Sequence, residues 1–542
     1  MRRGSDLFAS AVAVLFGIAL LCALAYRFRF GAELTDETFS IALPYRFVLG
    51  DRPFIDEVST AQSAGLIVFP FTWLFVKLKG GTAGLVLFAR ALHFFFKVAA
   101  AVSVFLAARR WLTSKSAQIA VSFVPFTFVP HSIPNVGYNA LGATFLVVGG
   151  FLSAAAIAEE SPNLKLLVGS GVGYGLAALA YPPVVAAPLL ATVLVLFCAP
   201  KRRLAAVVAM VGGGAIVLLL VSPALVPAGI SGIKASFNFG SELVPRPRSK
   251  FLQVLSDWWT TAQPLVIGTY AACIVLWRLR SRALTSIVVP VLVLVLVTWF
   301  GDLSSTALTA LHTVTWAGLL APALVLTAGL DSVFVRGALL VCAPSIVAGL
   351  FTAYASSNQT TNGCIGLYPA ATLLCVAAVR ALDRARTERI WAFAPAALFA
   401  GMLVWRSYQF VYRDAPIEQL TTVVKSGPFK GIRTSAARAA IFAELEGIAN
   451  KYDREDGHVL INYENPGAYL FSRMRPSTNT VWPLSYFGQA SLLEYWRAHA
   501  NGKGIVIKVH GSARGPLVDP VVEAPGRLLE RTPHFSVYRD EP

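Results

Sequence analysis

The stretch "GLIVFPFTWLFVKL", Gly65 to Leu78, is apolar yet only about 14 residues long, with Pro70 inside it and Lys77 and Lys79 at its end. A helix needs about 20 apolar residues to cross the hydrocarbon core of a bilayer, and an interior proline removes a backbone donor. The stretch therefore reads as an interfacial or re-entrant helix. The choice matters, because counting it as a span would reverse the side of every later loop.

The rest of the chain makes this a membrane question. Of its 542 residues, 56% are hydrophobic and 14% charged, and the mean hydropathy is +0.63, far from the mix of a soluble globule. Windows of about 20 apolar residues predict spans at 7–27, 84–108, 117–131, 139–158, 166–181, 183–199, 204–228, 263–279, 283–300, 315–330, 336–354, 368–382 and 390–411, about thirteen in all. The first resembles a signal peptide, with Ala23-Leu24-Ala25 as a cleavage site, but its apolar run is long enough to be a retained anchor.

With Gly65–Leu78 left out of the count, the basic clusters Arg2/Arg3, Arg109/Arg110/Lys115, Lys165, Lys201/Arg202/Arg203, Arg278/Arg280/Arg282, Arg336 and Arg384/Arg386/Arg389 all fall on one side. Short cytoplasmic loops collect Lys and Arg, so that side is the cytoplasm. The expected architecture is a mainly α polytopic protein in a bacterial inner membrane, with residues 1–412 as the transmembrane part and a cytoplasmic N-terminus. The first loop, about 28–83, and residues 413–542 face outward. The net charge of +17 is then a topology signal. Its bases lie in short clusters between apolar runs rather than along one polar face, which argues against a nucleic-acid partner.

The tail has charges spread through it and alternates strand-like runs, His458–Tyr463 and Gly504–His510, with helix-like ones, Ala437–Tyr452 and Ser491–Ala500. A small α/β domain is expected. Its segment "YENPGAYLFSRMRPSTNTVWPLSYFG", which contains Trp482, has the aromatic and amide groups that bind carbohydrate by stacking and hydrogen bonding. Five of the six cysteines, Cys22, Cys198, Cys273, Cys342 and Cys375, lie in apolar runs, without disulfide or metal spacing.

Of the 15 Asp and Glu up to residue 412, six (Glu33, Asp36, Glu37, Asp51, Asp56, Glu57) fall in the first outer loop. One reading of Asp36 and Glu37 is helix capping, with Thr35 as N-cap and two acids in the first turn. Another is catalytic, since Asp36 follows the first span by about nine residues. An amphipathic helix carrying Phe39, Leu43 and Phe47 on one stripe would hold it at the lip of an outward cavity. Adjacent helical residues diverge by about 100°, so one acid can face substrate while the other anchors the loop.

A first span, an outer loop with Asp-Glu, the run "GDRPFIDE", an interfacial helix ending "KLKG", then a span starting "ARAL" and ending "ARRW" together resemble the GT-C glycosyltransferases. The closest branch is the one holding protein O-mannosyltransferases, the aminoarabinose transferase acting on lipid A, and actinobacterial arabinofuranosyltransferases. The resemblance covers the whole architecture on modest motif content. It departs in lacking paired prolines before the interfacial helix, where Phe69-Pro70 stands nearest. In "PNVGYNALGATF" it has Asn139 where relatives often carry an acid.

The resemblance implies transfer of a sugar from a polyprenyl phosphate to a hydroxyl of a glycan, lipid or protein acceptor in the cell envelope, with inversion. The catalytic pair would be Asp36 and Glu37, with Asp36 the general base. The leaving phosphate and the sugar need cationic and polar partners. The outward-facing candidates are Arg46, Arg52, Asp56, Glu57, His131, Asn135, Tyr138, Asn139, Arg246, Arg248 and Lys250. Each has a plainer alternative: an ion pair for Arg46 and Arg52, attraction to anionic head groups for the 246–250 cluster, and an ordinary polar turn for "HSIPNVGYN". The polar segment Ser356–Tyr368 is a further candidate for donor contact.

No cofactor is called for beyond the lipid-linked sugar as co-substrate. A divalent metal stays open, because acids at 36, 37, 56 and 57 offer hard oxygens without diagnostic spacing. Two other classes fit a many-span chain with an outer cavity: a transporter or lipid flippase, which usually places ionisable groups within spans, and an O-antigen polymerase or ligase. The nearest ionisable groups within a span are His93 and Lys97.

Overall fold

The computed structural model describes residues 2–243, 248–299, 307–356, 358–385, 389–454, 457–461, 465–482, 494–498, 504–510 and 527–539. Its helices are α1 (Arg2–Arg27), α2 (Asp36–Val48), α3 (Gln62–Lys79), α4 (Leu85–Trp111), α5 (Lys115–Ser122), α6 (Val124–Thr127), α7 (Tyr138–Ala156), α8 (Leu164–Ala180) and α9 (Ala186–Cys198). They continue as α10 (Arg203–Leu243), α11 (Arg248–Leu279), α12 (Arg282–Trp299), α13 (Ala307–Ala328), α14 (Ser332–Ala355), α15 (Gly363–Ala385), α16 (Arg389–Ala392), α17 (Ala394–Gln409) and α18 (Ala436–Tyr452).

Among the described residues, seven helical stretches can cross a membrane by length and composition: Leu7–Arg27, Leu85–Trp111, Tyr138–Ala156, Arg203–Phe239, Leu311–Ala328, Ser332–Ala355 and Thr360–Ala385. An eighth is the pair Ser249–Thr260 and Gln263–Leu279, bent by 64°. This is a multi-pass membrane protein. The expectation of about thirteen full spans is not met by these criteria. Leu164–Ala180, Pro182–Cys198 and Arg282–Leu296 are shorter apolar helices.

The expected span at 117–131 is not one helix. It divides into α5 and the four-residue α6, with Pro125 near the start of α6 and Pro130 beyond its end, since proline lacks the N–H that would continue a helix. The expected span at 390–411 likewise divides at Phe393, with Pro395 in the first turn of α17. The stretch that set the topology forms α3, which ends at Gly80 in the left-handed conformation with φ 69°.

Small residues let the bundle close. A Cβ on Gly171 of α8 would lie 1.9 Å from the Met210 carbonyl of α10, a backbone approach typical of helix pairs in membranes. One continuous buried cluster links α4, α7, α8, α13, α14 and α15 to residues of α2 and of the C-terminal region.

After α17 the chain forms a two-stranded ribbon, β1 (Thr422–Val423) with β2 (Arg433–Thr434), and a five-stranded sheet. The sheet strands are β3 (His458–Ile461), β4 (Arg475–Pro476), β5 (Ile505–Val509), β6 (Leu528–Arg531) and β7 (Phe535–Arg539), in the order β4-β3-β5-β7-β6. β3 runs parallel to β4 and β5, whereas β7 is antiparallel to β5 and β6. Helix α18 buries Phe442, Leu445 and Ile448, and Phe442 stacks on Phe429 with ring centroids 4.2 Å apart. The two expected strands and the helix at 437–452 are present. Of the expected helix at 491–500, residues 494–498 are helical and the rest lie outside the described residues.

The sheet region is held against the first loop. Tyr45 Oη donates to the Ser472 carbonyl (2.9 Å), Val58 N to the Asn479 carbonyl (2.9 Å) and Gly467 N to the Leu34 carbonyl (2.9 Å).

Candidate functional site

The acidic loop is built by ion pairs that use up most of its charge. Glu37 is 2% exposed and takes both ends of the Arg90 guanidinium, Nε and Nη2, at 2.6 Å each. Arg90, on α4, also donates to the carbonyls of Phe28 (2.5 Å) and Gly31 (2.6 Å). This bidentate pair fixes the turn by which the chain leaves α1 and enters α2. Arg27 complements it by donating to the carbonyls of Phe30 and Phe410, each at 3.0 Å, which ties α1 to the end of α17.

A second knot lies at the other end of α2. Arg46, fully buried, donates to Asp51 (2.6 Å), Glu57 (3.1 Å) and the Thr478 carbonyl (2.7 Å). Glu57 in turn accepts from Ser59 N (2.8 Å) and Val481 N (3.0 Å). Burial pushes the Glu57 carboxyl up, against the Arg46 charge and these donated hydrogen bonds. Arg52 and Asp56 form an outer pair at 3.2 Å, with the Arg52 side chain 66% exposed.

The helix start is capped by Glu33 rather than by Thr35 as the sequence suggested. Glu33 Oε2 accepts from Thr35 N and its Oε1 from Glu37 N, both at 2.5 Å, and Thr35 caps no backbone N–H. Burial pushes the Glu33 carboxyl up to about 7, helped by the neighbouring charges of Glu37 and Asp36 and opposed by the Thr35 hydrogen bond.

Asp36 does something different. Its side chain is 30% exposed, and it borders a small open cleft. Its Oδ2 accepts from Tyr412 Oη (2.6 Å) and Thr35 Oγ1 (3.3 Å), with Arg413 Nη1 at 3.5 Å. Burial, and then the Asp36 charge, push the Tyr412 phenol up, so the phenol keeps its proton and remains a donor.

The opposite wall comes from the polar break before α7. His131, Asn135, Tyr138 and Asn139 all line the cleft. His131 and Ser132 have φ of 55° and 57°, a conformation uncommon for residues with a Cβ, and His131 Nε2 meets Asn362 Oδ1 at 2.9 Å. Asn135 reaches back toward α2, with Nδ2 3.3 Å from Ser40 Oγ, and accepts from Gly137 N at 3.0 Å. Tyr138 packs its ring on Tyr181 with centroids 5.2 Å apart. Asn139 Oδ1 is buried without a hydrogen-bond partner.

The Ser356–Tyr368 segment contributes Asn358 to the cleft. Behind it, buried Lys250 donates to the Ser356 carbonyl (2.7 Å), and Ser356 Oγ accepts from Asn362 (2.6 Å). Lys250 is thus connected through Ser356 and Asn362 to His131, one layer behind the cleft wall. Arg246 lies outside the described residues, as does the side chain of Arg248.

The structure therefore brings together Asp36, His131, Asn135, Tyr138 and Asn139. It places Glu37, Arg46, Arg52, Asp56 and Glu57 elsewhere, each beside a partner of opposite charge. In this structure the buried Glu37, Arg46 and Glu57 hold the loop together, since a buried charge needs its partner, while Arg52 and Asp56 pair at its surface. The four acids weighed as metal ligands point to four different partners and do not converge. No group of three or more His, Cys, Asp or Glu among the described residues forms a ligand set. Sequence reasoning missed Tyr412 and Arg413, which follow the last apolar run and looked like boundary residues.

No protein-family model and no curated protein matches the chain. Among solved structures, the chain is similar to the Archaeoglobus fulgidus oligosaccharyltransferase tethered with an acceptor peptide, at 11% identity and TM-score 0.47 over 93% of this chain and 69% of that one. It is also similar to ArnT from Cupriavidus metallidurans. In the apo state the identity is 12% and the TM-score 0.46, and with undecaprenyl phosphate bound they are 12% and 0.43, over 98% of both chains each time. At these identities the likeness carries no chemistry, which comes from the cleft's own residues.

Proposed function

We propose that this chain transfers a sugar from a polyprenyl phosphate to a hydroxyl of a cell-envelope acceptor at the outer face of a bacterial inner membrane. The observation that supports this is the selectivity of the loop: among its six acids, Asp36 is the one that lines the cleft. In an inverting displacement, the acceptor oxygen attacks the anomeric carbon while the bond from that carbon to the phosphate oxygen breaks. The acceptor proton passes to the Asp36 carboxylate, and the phosphate leaves with the electron pair.

Tyr412 holds Oδ2 of that carboxylate, which leaves Oδ1 to receive the proton. His131 and Asn358 face the same space and can meet the developing phosphate charge, with the Lys250 ammonium behind them adding positive potential. Lys97, buried on α4, does not call for a transport reading. The Lys97 ammonium donates to the carbonyls of Phe126 and Phe128 and so supports the backbone where α6 ends.

The test uses the full chain in detergent with a panel of radiolabelled polyprenyl phosphate sugars. Asp36→Asn keeps the volume and removes the base, so sugar transfer should fall by at least about 100-fold with yield and thermal midpoint unchanged. Transfer at the parental rate by the variant would rule out Asp36 as the base.

A further inference from the structure

Within that cleft, two side chains end in polar atoms of opposite sense that no group among the described residues satisfies. Asn139 Oδ1, an acceptor, and Trp482 Nε1, a donor, are both buried without a partner, and both residues line the same cleft. Trp111, Trp258 and Trp496 also carry buried indole N–H groups without a partner, but none of them borders this cleft. A buried polar group left without a partner is costly, and native chains seldom keep one without a reason.

Trp482 comes from the segment after β4, and its position is set by the first loop. Glu57, held by Arg46, accepts the N–H of the preceding residue Val481 at 3.0 Å. The Trp482 N–H of the backbone reaches Thr480 Oγ1 at 3.3 Å, and the indole leans on Phe39 with ring centroids 4.8 Å apart. Part of the acidic loop therefore serves to carry an aromatic surface from the C-terminal region to the wall of the cleft that Asn139 also lines.

We infer that Asn139 and Trp482 form a seat for a neutral polyhydroxylated ring, so that the C-terminal region supplies part of the sugar-binding site. The ligand class follows from the pairing. An anion would use the indole N–H but would be repelled by the amide oxygen. A metal ion would use the amide oxygen but gain nothing from the indole. An apolar chain would leave both polar atoms buried. A sugar hydroxyl can donate to one and accept from the other, while a face of ring C–H groups packs on the Phe39–Trp482 pair.

This inference rests on the proposed sugar transfer, and the test separates the two. Binding of undecaprenyl phosphate and of a polyprenyl phosphate sugar to the full chain is measured by titration calorimetry, alongside thermal shifts with a panel of methyl glycosides. The parent should bind the sugar-bearing lipid about ten-fold or more tighter than the bare one, because a site built around hydroxyls discriminates against ligands lacking them. Trp482→Phe and Asn139→Leu should each bring that ratio towards one without changing affinity for the bare lipid, and Asn139→Asp, which keeps the acceptor, should retain it.

If both lipids bind equally but methyl glycosides stabilise the parent and not the variants, the seat holds the acceptor's sugar and the inference stands. Were neither lipid to bind, the lipid-linked donor would be wrong, while the glycoside arm would still report on the seat. Discrimination between the lipids that survives both Trp482→Phe and Asn139→Leu would overturn the seat.

Discussion

The Tyr412 hydroxyl donates to Asp36 Oδ2 at 2.6 Å, joining the residue that opens α2 to one lying 376 positions further along the chain. The contact fixes one carboxylate oxygen of a residue that lines the cleft. Orientation of this kind matters because a small misplacement of a reacting group can cost orders of magnitude in rate. Tyr412→Phe should lower kcat about ten-fold or more with KM for the lipid-linked sugar nearly unchanged. Steady-state transfer assays check this, and a rise in KM at constant kcat would make Tyr412 a substrate contact instead.

Glu37 and Arg90 form the buried ion pair at the start of α2. Both are at most 2% exposed, so removing one leaves the other charged and buried, at a cost of about 3–5 kcal/mol. Glu37→Gln and Arg90→Met are each expected to lower the thermal midpoint markedly in detergent. The double replacement Glu37→Leu with Arg90→Met should be less unstable than the sum of the two singles, since neither charge is then left buried alone, although the Phe28 and Gly31 carbonyls still lose their donor. If the double variant were as unstable as the sum of the singles, the pair would not be the unit that holds the loop.

Glu33 gives a pH dependence with a definite sign. Its carboxyl titrates near 7 in the folded chain and near 4.5 when unfolded. Below about pH 4.5 both states hold the proton and there is no penalty. As pH rises toward 7, the unfolded chain loses the proton while the folded chain keeps it, so stability declines by up to about 3 kcal/mol. Unfolding measured from pH 4.5 to 7.5 should show this decline in the parent and a flatter profile in Glu33→Ala.

The sequence made much of this legible, and the misses have physical causes. Apolar run length located α1, α4 and α7, because for those helices hydrophobicity and helical length coincide. It failed at 117–131, where Pro125 and Pro130 interrupt an apolar run that hydropathy alone reads as continuous. The divergence of Asp36 and Glu37 could be foreseen from helical geometry, which places adjacent side chains on different faces. Which acid would face the cleft could not, since Arg90, the partner of Glu37, lies 53 residues along the chain. Arg46 looked like a phosphate ligand for a similar reason: its partners Asp51 and Glu57 are local, but the Thr478 carbonyl that completes its burial is 432 residues away.

The side on which the cleft opens remains an inference from charge distribution, and it can be tested directly. The sheet region packs on the same first loop that carries Asp36, through Tyr45–Ser472, Val58–Asn479 and Arg46–Thr478. The loop and the C-terminal region must therefore share one side of the membrane, whatever the number of spans between them. Short cytoplasmic loops collect Lys and Arg, and the clusters at 109–115, 201–203 and 278–282 predict that the shared side is the outer one. A reporter active only outside the cytoplasm, fused after Pro542, should be active, and a second inserted after Gly81 should match it. Activity of a cytoplasm-dependent reporter at both sites would put Asp36 on the cytosolic face and remove the lipid-linked donor from its reach. Opposite results at the two sites would contradict the contacts between α2 and the sheet region.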